Sequence, residues 1–250
     1  MSDQLFLILS VGAIYLLAGI VKGLLGLGLP TTAITFMTFV MSPIQAIAIN
    51  LLPMFLTNIW QFSRAGDKIN LVKRYGYFGA SLSLSILWFS FYTSRLSSSA
   101  LQIIVALAVI LFSVYNLTQK SIILPLDKDK IWQILFGFAA GLIGAFTSMW
   151  AVPLVIYLLS RNLSTKQFVD AAGFLLLIGC LPLSIGYIAT GIVTSDVWLP
   201  AIAAILCAWC GFQLGEHLRL YVDGALFKRL PLWFFFIMGI RMMLVAYAGL

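Results

Sequence analysis

Apolar runs of about twenty residues recur along the whole chain, and two of them are interrupted by glycine and proline in similar ways. A run of that length is what a helix needs to cross the hydrocarbon core of a bilayer. The ten-residue alternation of an outer-membrane barrel is absent. Of 250 residues, 62% are hydrophobic and 9% charged, against roughly 25% charged in a soluble domain. The sequence therefore predicts an all-α, polytopic helical membrane protein and excludes a water-soluble domain.

Apolar elements lie near 5–21, 24–41, 44–61, 73–93, 99–117, 131–146, 148–160, 167–189, 197–214 and 231–249. The second and seventh are short and glycine-rich. The expectation is about 8 full spans plus short or broken helices, in one transmembrane domain covering 1–250. Met1-Ser2-Asp3-Gln4-Leu5 offers no basic stretch before the first apolar run, so the first segment is expected to stay in place rather than be cleaved as a signal.

The first interruption carries Gly19, Lys22, Gly23, Gly26, Gly28 and Pro30; the second carries Gly137, Gly141, Gly144, Thr147, Ser148 and Pro153. Glycine recurs at matching offsets in both, about 118 residues apart, which predicts internal repeats over approximately 1–118 and 131–250. Gly23, Gly26 and Gly28 permit positive φ or close backbone approach, and Pro30 lacks an amide donor. Thr31 and Thr32, with Thr147 and Ser148 in the second half, would then stand at opened helix ends whose free amides face an anion. The competing reading has the glycines serving tight helix crossing and the hydroxyls bonding within their own helices.

Charge tests the arrangement. If every element crosses, or each interrupted pair returns to its own side, the loops near Lys22, 62–73, 118–130, 160–167 and 215–230 share one side and hold thirteen Lys and Arg residues, while Arg95 stands alone on the other. The positive-inside rule makes the basic side cytoplasmic and both termini external. Treating each interrupted pair as one broken crossing leaves about seven basic residues against six, a nearly flat bias. The first arrangement gives each half an odd number of crossings, hence two inverted repeats meeting at their broken helices. The net charge of +7 is then mostly a topology signal, and no nucleic-acid partner is expected.

Arg241 lies ten residues past Pro231, roughly 15 Å into a final span at 1.5 Å per residue. A guanidinium at that depth should face the protein interior, where it would attract an oxyanion; snorkelling to the headgroups is the alternative. Asn50, Thr57 and Asn58 can line a path or bond neighbouring helices. Asp170, a few residues inside its span, is the carboxylate candidate for coupling to protons. Cys180, Cys207 and Cys210 are expected to be thiols packed inside apolar segments. A Walker loop, a histidine-rich metal set and a Ser/His/Asp arrangement are all missing, and His217 is the one histidine, so the chain is not expected to be an enzyme.

Lys22-Gly23-Leu24-Leu25-Gly26-Leu27-Gly28-Leu29-Pro30, followed by Ser42-Pro43 and by Asn50 through Gln61, resembles the sulfite exporter family TauE/SafE. Gly137 to Pro153 is similar to the family's second glycine-proline block, with Gly144-Ala145-Phe146-Thr147-Ser148-Met149 where members often carry adjacent glycines. The resemblance implies a bacterial inner-membrane permease for sulfite, sulfoacetate or another small organic or sulfur-containing anion. It points to Gly23, Gly26, Gly28, Pro30, Gly141, Gly144 and Pro153, whereas Arg241 comes from the reading of burial alone.

The leading expectation is export of sulfite or a small organosulfonate or carboxylate by alternating access. A negative-inside potential, worth about 2.3 kcal/mol per charge per 100 mV, suffices to drive it. A channel-like anion facilitator and a non-transporting membrane scaffold are the alternatives. The expected partners are the anion and membrane lipids, with protons optional and a homo-oligomer left open; no cofactor is expected.

Overall fold

The computed structural model describes residues 2–118, 124–219 and 225–248. Within them lie ten α-helices: α1 (Ser2–Leu25), α2 (Leu29–Met37), α3 (Pro43–Ser63), α4 (Lys68–Thr93), α5 (Ser98–Thr118), α6 (Asp129–Thr147), α7 (Ala151–Leu159), α8 (Thr165–Ala189), α9 (Trp198–Leu218) and α10 (Ala225–Ala248). Each falls on one of the ten expected apolar elements. Six are long and apolar enough to cross a membrane: α1, α3, α5, α6, α8 and α9. The other two long helices depart for visible reasons. α4 opens with Lys68, Lys73 and Arg74 and carries four serines, and the shorter apolar stretch of α10 covers Phe235–Tyr247. At about 1.5 Å per residue neither α2 nor α7, nine residues each, can span a core of roughly 30 Å alone.

The helix starts are written locally. Ser42 and Ser164 each cap their helix in a reciprocal box with Gln45 and Gln167, and Pro43 occupies the first turn of α3, where its missing amide costs nothing. α1 stops because Gly26 and Gly28 take φ of 78° and 97°, the left-handed region that glycine enters without strain. α6 stops at Ser148, whose φ of 57° puts a non-glycine residue in the same region. These ends recur at an interval of their own. α1 ends at Leu25 and α6 at Thr147, α2 begins at Leu29 and α7 at Ala151, and the capping serines are Ser42 and Ser164; each interval is 122, as between Asn58 and Cys180. At that interval Gly26 pairs with Ser148, and both are left-handed residues just past a helix end.

The interval of about 118 follows a different property, helix crossing. Gly19 and Gly23 of α1 lie against α9 while Gly211 and Gly215 of α9 lie against α1, so closely that a Cβ at any of the four would fall on facing backbone. Gly137 and Gly141 serve α6 in the same way against α4.

Pairings recur when the halves are exchanged. α1 packs on α9 as α6 packs on α4, α3 on α9 as α8 on α4, and α3 meets α8 while α5 meets α10. Contacts along the helices give directions. Gly12 faces Cys207 and Gly23 faces Phe212, so α1 and α9 run the same way. Tyr15 meets Asn50 and Lys22 meets Thr57, adding α3 to that set. α4 and α6 run together, with Phe78 on Gln133 and Ser85 on Gly141, and α8 joins them through Gly79 with Phe174 and Ser90 with Gly186. The two sets oppose each other, because Asn58 bonds Cys180 whereas Gln61, farther along α3, bonds Val169, earlier in α8.

Four side chains depart from expectation, Cys207 only in part. Lys22 is not in a loop; it occupies the last turn of α1 at 2% exposure. Arg241 does not face the interior. α10 turns Leu232, Phe235, Gly239 and Met242 inward, which leaves Arg241 exposed and stacked over the Phe39 ring at 4.1 Å. Cys210 is exposed and Cys207 partly so, while Cys180 is buried.

Candidate functional site

The two interruptions meet. Leu27, Gly28, Leu29, Pro30 and Thr31 from the first, and Ser148, Met149, Trp150 and Ala151 from the second, line one cavity together with Lys22, Met54, Asn58 and Leu176. Its volume is about 10 Å³, room for about one water molecule. The starts of α2 and α7 both border it, so amides left free at two helix N-termini lie close to one space.

Lys22 supplies the charge. Its ammonium donates to Thr57 Oγ1 at 3.2 Å and to Asn58 Oδ1. An ammonium has three donors, so one remains beyond these two among the described residues. Both partners are neutral, and no Asp or Glu among the described residues lines the cavity. A buried cation without a counter-ion is costly in apolar surroundings and favours an anion entering beside it.

The supports are built from neighbouring helices. Pro53, inside α3, accepts at its carbonyl from Thr57 Oγ1 at 2.7 Å, which turns the hydroxyl's lone pairs toward Lys22. Asn58 Nδ2 donates to Cys180 Sγ at 3.4 Å, tying α3 to α8. Pro182 cannot donate to Ile178 one turn before it, and the Ser83 hydroxyl from α4 donates to that carbonyl at 3.4 Å instead. At the second interruption, Thr93 and Tyr187 both donate to the Ala145 carbonyl at 2.8 Å, satisfying an end carbonyl of α6. The Ser148 hydroxyl lies 3.5 Å from that of Tyr187, and Thr147 Oγ1 accepts from Met149 N at 3.0 Å.

The expected site residues divide. Gly28, Pro30, Thr31, Asn58 and Ser148 line the cavity, and Gly26 forms the turn before it. Gly23 and Gly141 are occupied by helix crossings, and Gly144 lies under the Trp150 ring. Thr147 caps the break from behind, and Pro153 is buried in the first turn of α7. Asn50 accepts from Tyr15 at 3.2 Å, about two turns before Asn58 on α3. Asp170 lies outside the cavity, where Oδ2 accepts from Gly66 N at 3.3 Å. Arg241, on the exposed face of α10, is not among the lining residues. Lys22, Trp150, Cys180 and Tyr187 join the site without being among the expected site residues. For Lys22 the signal was present: an ammonium inside an apolar run, the argument applied to Arg241.

A family model described as Sulfite exporter TauE/SafE matches residues 11–242. The chain belongs to that family. TauE/SafE membership, with six helices apolar and long enough to cross a membrane, makes it a multi-pass membrane protein of anion-transport type, from a family of transporters rather than enzymes. Comparison with curated proteins and with solved structures finds no match to this chain.

Proposed function

We propose that the protein is an alternating-access carrier that exports a small anion, such as sulfite or a small organosulfonate or carboxylate, across a bacterial inner membrane. Its binding centre is the cavity between the two broken helices. The observation that carries this reading is Lys22, 2% exposed, held by neutral partners at the point where both interruptions meet. The anion would pair with the ammonium and accept from the amides opening α2 and α7.

The architecture we infer is an inverted duplication of about eight full-length spans plus two short helices, α2 and α7, each of which returns the chain toward the side from which the helix before it starts. The interval of 122, the exchange-symmetric pairings and the opposed directions of α3 and α8 support it. In such carriers the site lies at the repeat interface and the halves rock around it. With Lys22 withdrawn from the loops, twelve Lys and Arg residues still fall on the side of 62–73, which supports a cytoplasmic assignment for that side. A cavity of about 10 Å³ does not admit a sulfur oxyanion, so the conformation is a closed one, which favours a carrier over a continuously open pore.

Flux of sulfite, sulfoacetate, sulfate, thiosulfate and small carboxylates in proteoliposomes tests the reading. Saturable uptake with counterflow for at least one of them is expected. Conductance far above carrier turnover would replace the carrier with a channel. Absence of flux for the whole panel would remove the transport assignment.

A further inference from the structure

A second pocket, of about 140 Å³, lies on the side that carries the 62–73 loop; Gly26, Gln61, Arg64, Asp170, Glu216 and Arg219 are among its walls. Its charges are matched. Glu216 takes Arg64 at 2.6 Å and Arg219 at 4.0 Å, and Asp170 accepts from Gly66 N. Among the described residues, two guanidiniums against two carboxylates leave no net charge to trap an anion, so the pocket suits passage rather than storage.

Gln61 stands between this pocket and the central cavity. It lies one turn along α3 from Thr57 and Asn58, and is 7% exposed. Its Nε2 donates to the Gly26 carbonyl and to the Val169 carbonyl, each at 3.2 Å. Gly26 is the left-handed residue that ends α1, and Val169 belongs to α8 in the other half of the chain. One amide therefore clasps the first interruption to the opposite half. Its Oε1 is buried without a partner among the described residues, which leaves the donors alone to hold the closed position. Gly173 gives the side chain its room: a Cβ there would lie 3.1 Å from Gln61 Cγ and 3.4 Å from Nε2.

We propose that Gln61 is the gate between the binding centre and an access pocket on the 62–73 side. This rests on the carrier reading above. The chemistry fits a contact that opens in each cycle. Neutral amide–carbonyl hydrogen bonds contribute little net free energy when water can replace the partner, whereas a buried ion pair in the same place would resist separation. The clasp links the parts that must separate for the cavity to reach the pocket.

Cys180 is a native reporter behind the gate, buried and bonded to Asn58. With Cys207 and Cys210 replaced by Ser, the rate of its modification by an impermeant methanethiosulfonate is read in membrane vesicles of both orientations. In the parent, modification from the 62–73 side is slow. Gln61→Ala raises that rate at least about tenfold, the scale of two neutral hydrogen bonds no longer holding the closed state, and leaves the rate from the opposite side unchanged. Gly173→Ala, which crowds the amide from α8 and retains Gln61, raises it in the same direction and serves if Gln61→Ala does not fold. Parent-like protection in the folded variants overturns the proposal, as does acceleration only from the opposite face or a parent thiol that already reacts freely from the 62–73 side. No transported anion enters this measurement, so a failed flux panel counts against the carrier reading alone.

Discussion

The ammonium of Lys22, at the end of α1, donates to the side-chain carbonyl of Asn58 on α3, and the pair borders the cavity where both broken helices meet. A charge-assisted hydrogen bond of this kind contributes about 1.5–3 kcal/mol, and an anion bound beside Lys22 would share that scale. Lys22→Gln is therefore expected to lower anion flux by roughly 10- to 100-fold, through affinity first. The same change removes a desolvated charge, so thermal stability should hold or rise. Lys22→Arg keeps the charge but overfills a site with room for about one water, and flux should fall between the two. Reconstituted flux normalised to folded protein decides it; unchanged affinity in the Gln variant would remove Lys22 from the site.

Arg241 supplies the contrast. Its guanidinium is exposed and stacks on Phe39, itself exposed. Removing such a contact stays within about 0.5 kcal/mol. Arg241→Gln should change flux by no more than about two- to threefold, the factor that 0.5 kcal/mol represents. A loss as large as that of Lys22→Gln would mean that Arg241 reaches the anion in another conformation.

What was legible in the sequence depended on which physical signal it carried. Apolar runs and glycine-proline interruptions place all ten helices, because a helix crossing lipid must be apolar and must satisfy its own backbone. The glycine interval differs from the interval between helix ends because glycines report close helix contact more strongly than they report helix ends. Gly19, Gly23, Gly137 and Gly141 recur at about 118, yet the second break falls on Ser148, a left-handed residue with no glycine to mark it. Lys22 was misassigned because counting charges by loop treats every interruption as a surface. Arg241 was misplaced because depth along a helix says nothing about facing; the inward stripe of Leu232, Phe235, Gly239 and Met242 does. Tyr187, Cys180 and Gln61 act through contacts between distant segments, which no local pattern announces.

The α1–α9 crossing predicts a sharp difference between two glycines. At Gly211 an added Cβ meets the backbone oxygen of Leu16, and backbone cannot step aside. Gly211→Leu should destabilise by at least about 1–3 kcal/mol, seen as lost monodisperse protein on mild heating in detergent. At Gly76, inside α4, an added Cβ meets nothing within 4 Å. Gly76→Ala should be neutral or stabilise by up to about 1 kcal/mol. Equal behaviour of the two variants would contradict the close crossing.

The opposed directions of the two helix sets predict a pattern of sidedness. Asp67, Pro125 and Leu163 precede α4, α6 and α8, helices that run in one direction. Leu96 and Val193 lie in the turns beyond α4 and α8. In a background lacking the native cysteines, single cysteines at Asp67, Pro125 and Leu163 should therefore be shielded from an impermeant thiol reagent outside intact cells. Cysteines at Leu96 and Val193 should label. The decisive pair is Pro125 and Leu163, which flank α6 and α7: if the nine-residue α7 returns toward the side from which α6 starts, both stay shielded. The bond from Tyr157 near the end of α7 to Asp129 at the start of α6, at 2.9 Å, already joins those two ends. Labelling of one and shielding of the other would make α6 and α7 a single broken crossing, and the two halves could then no longer oppose each other.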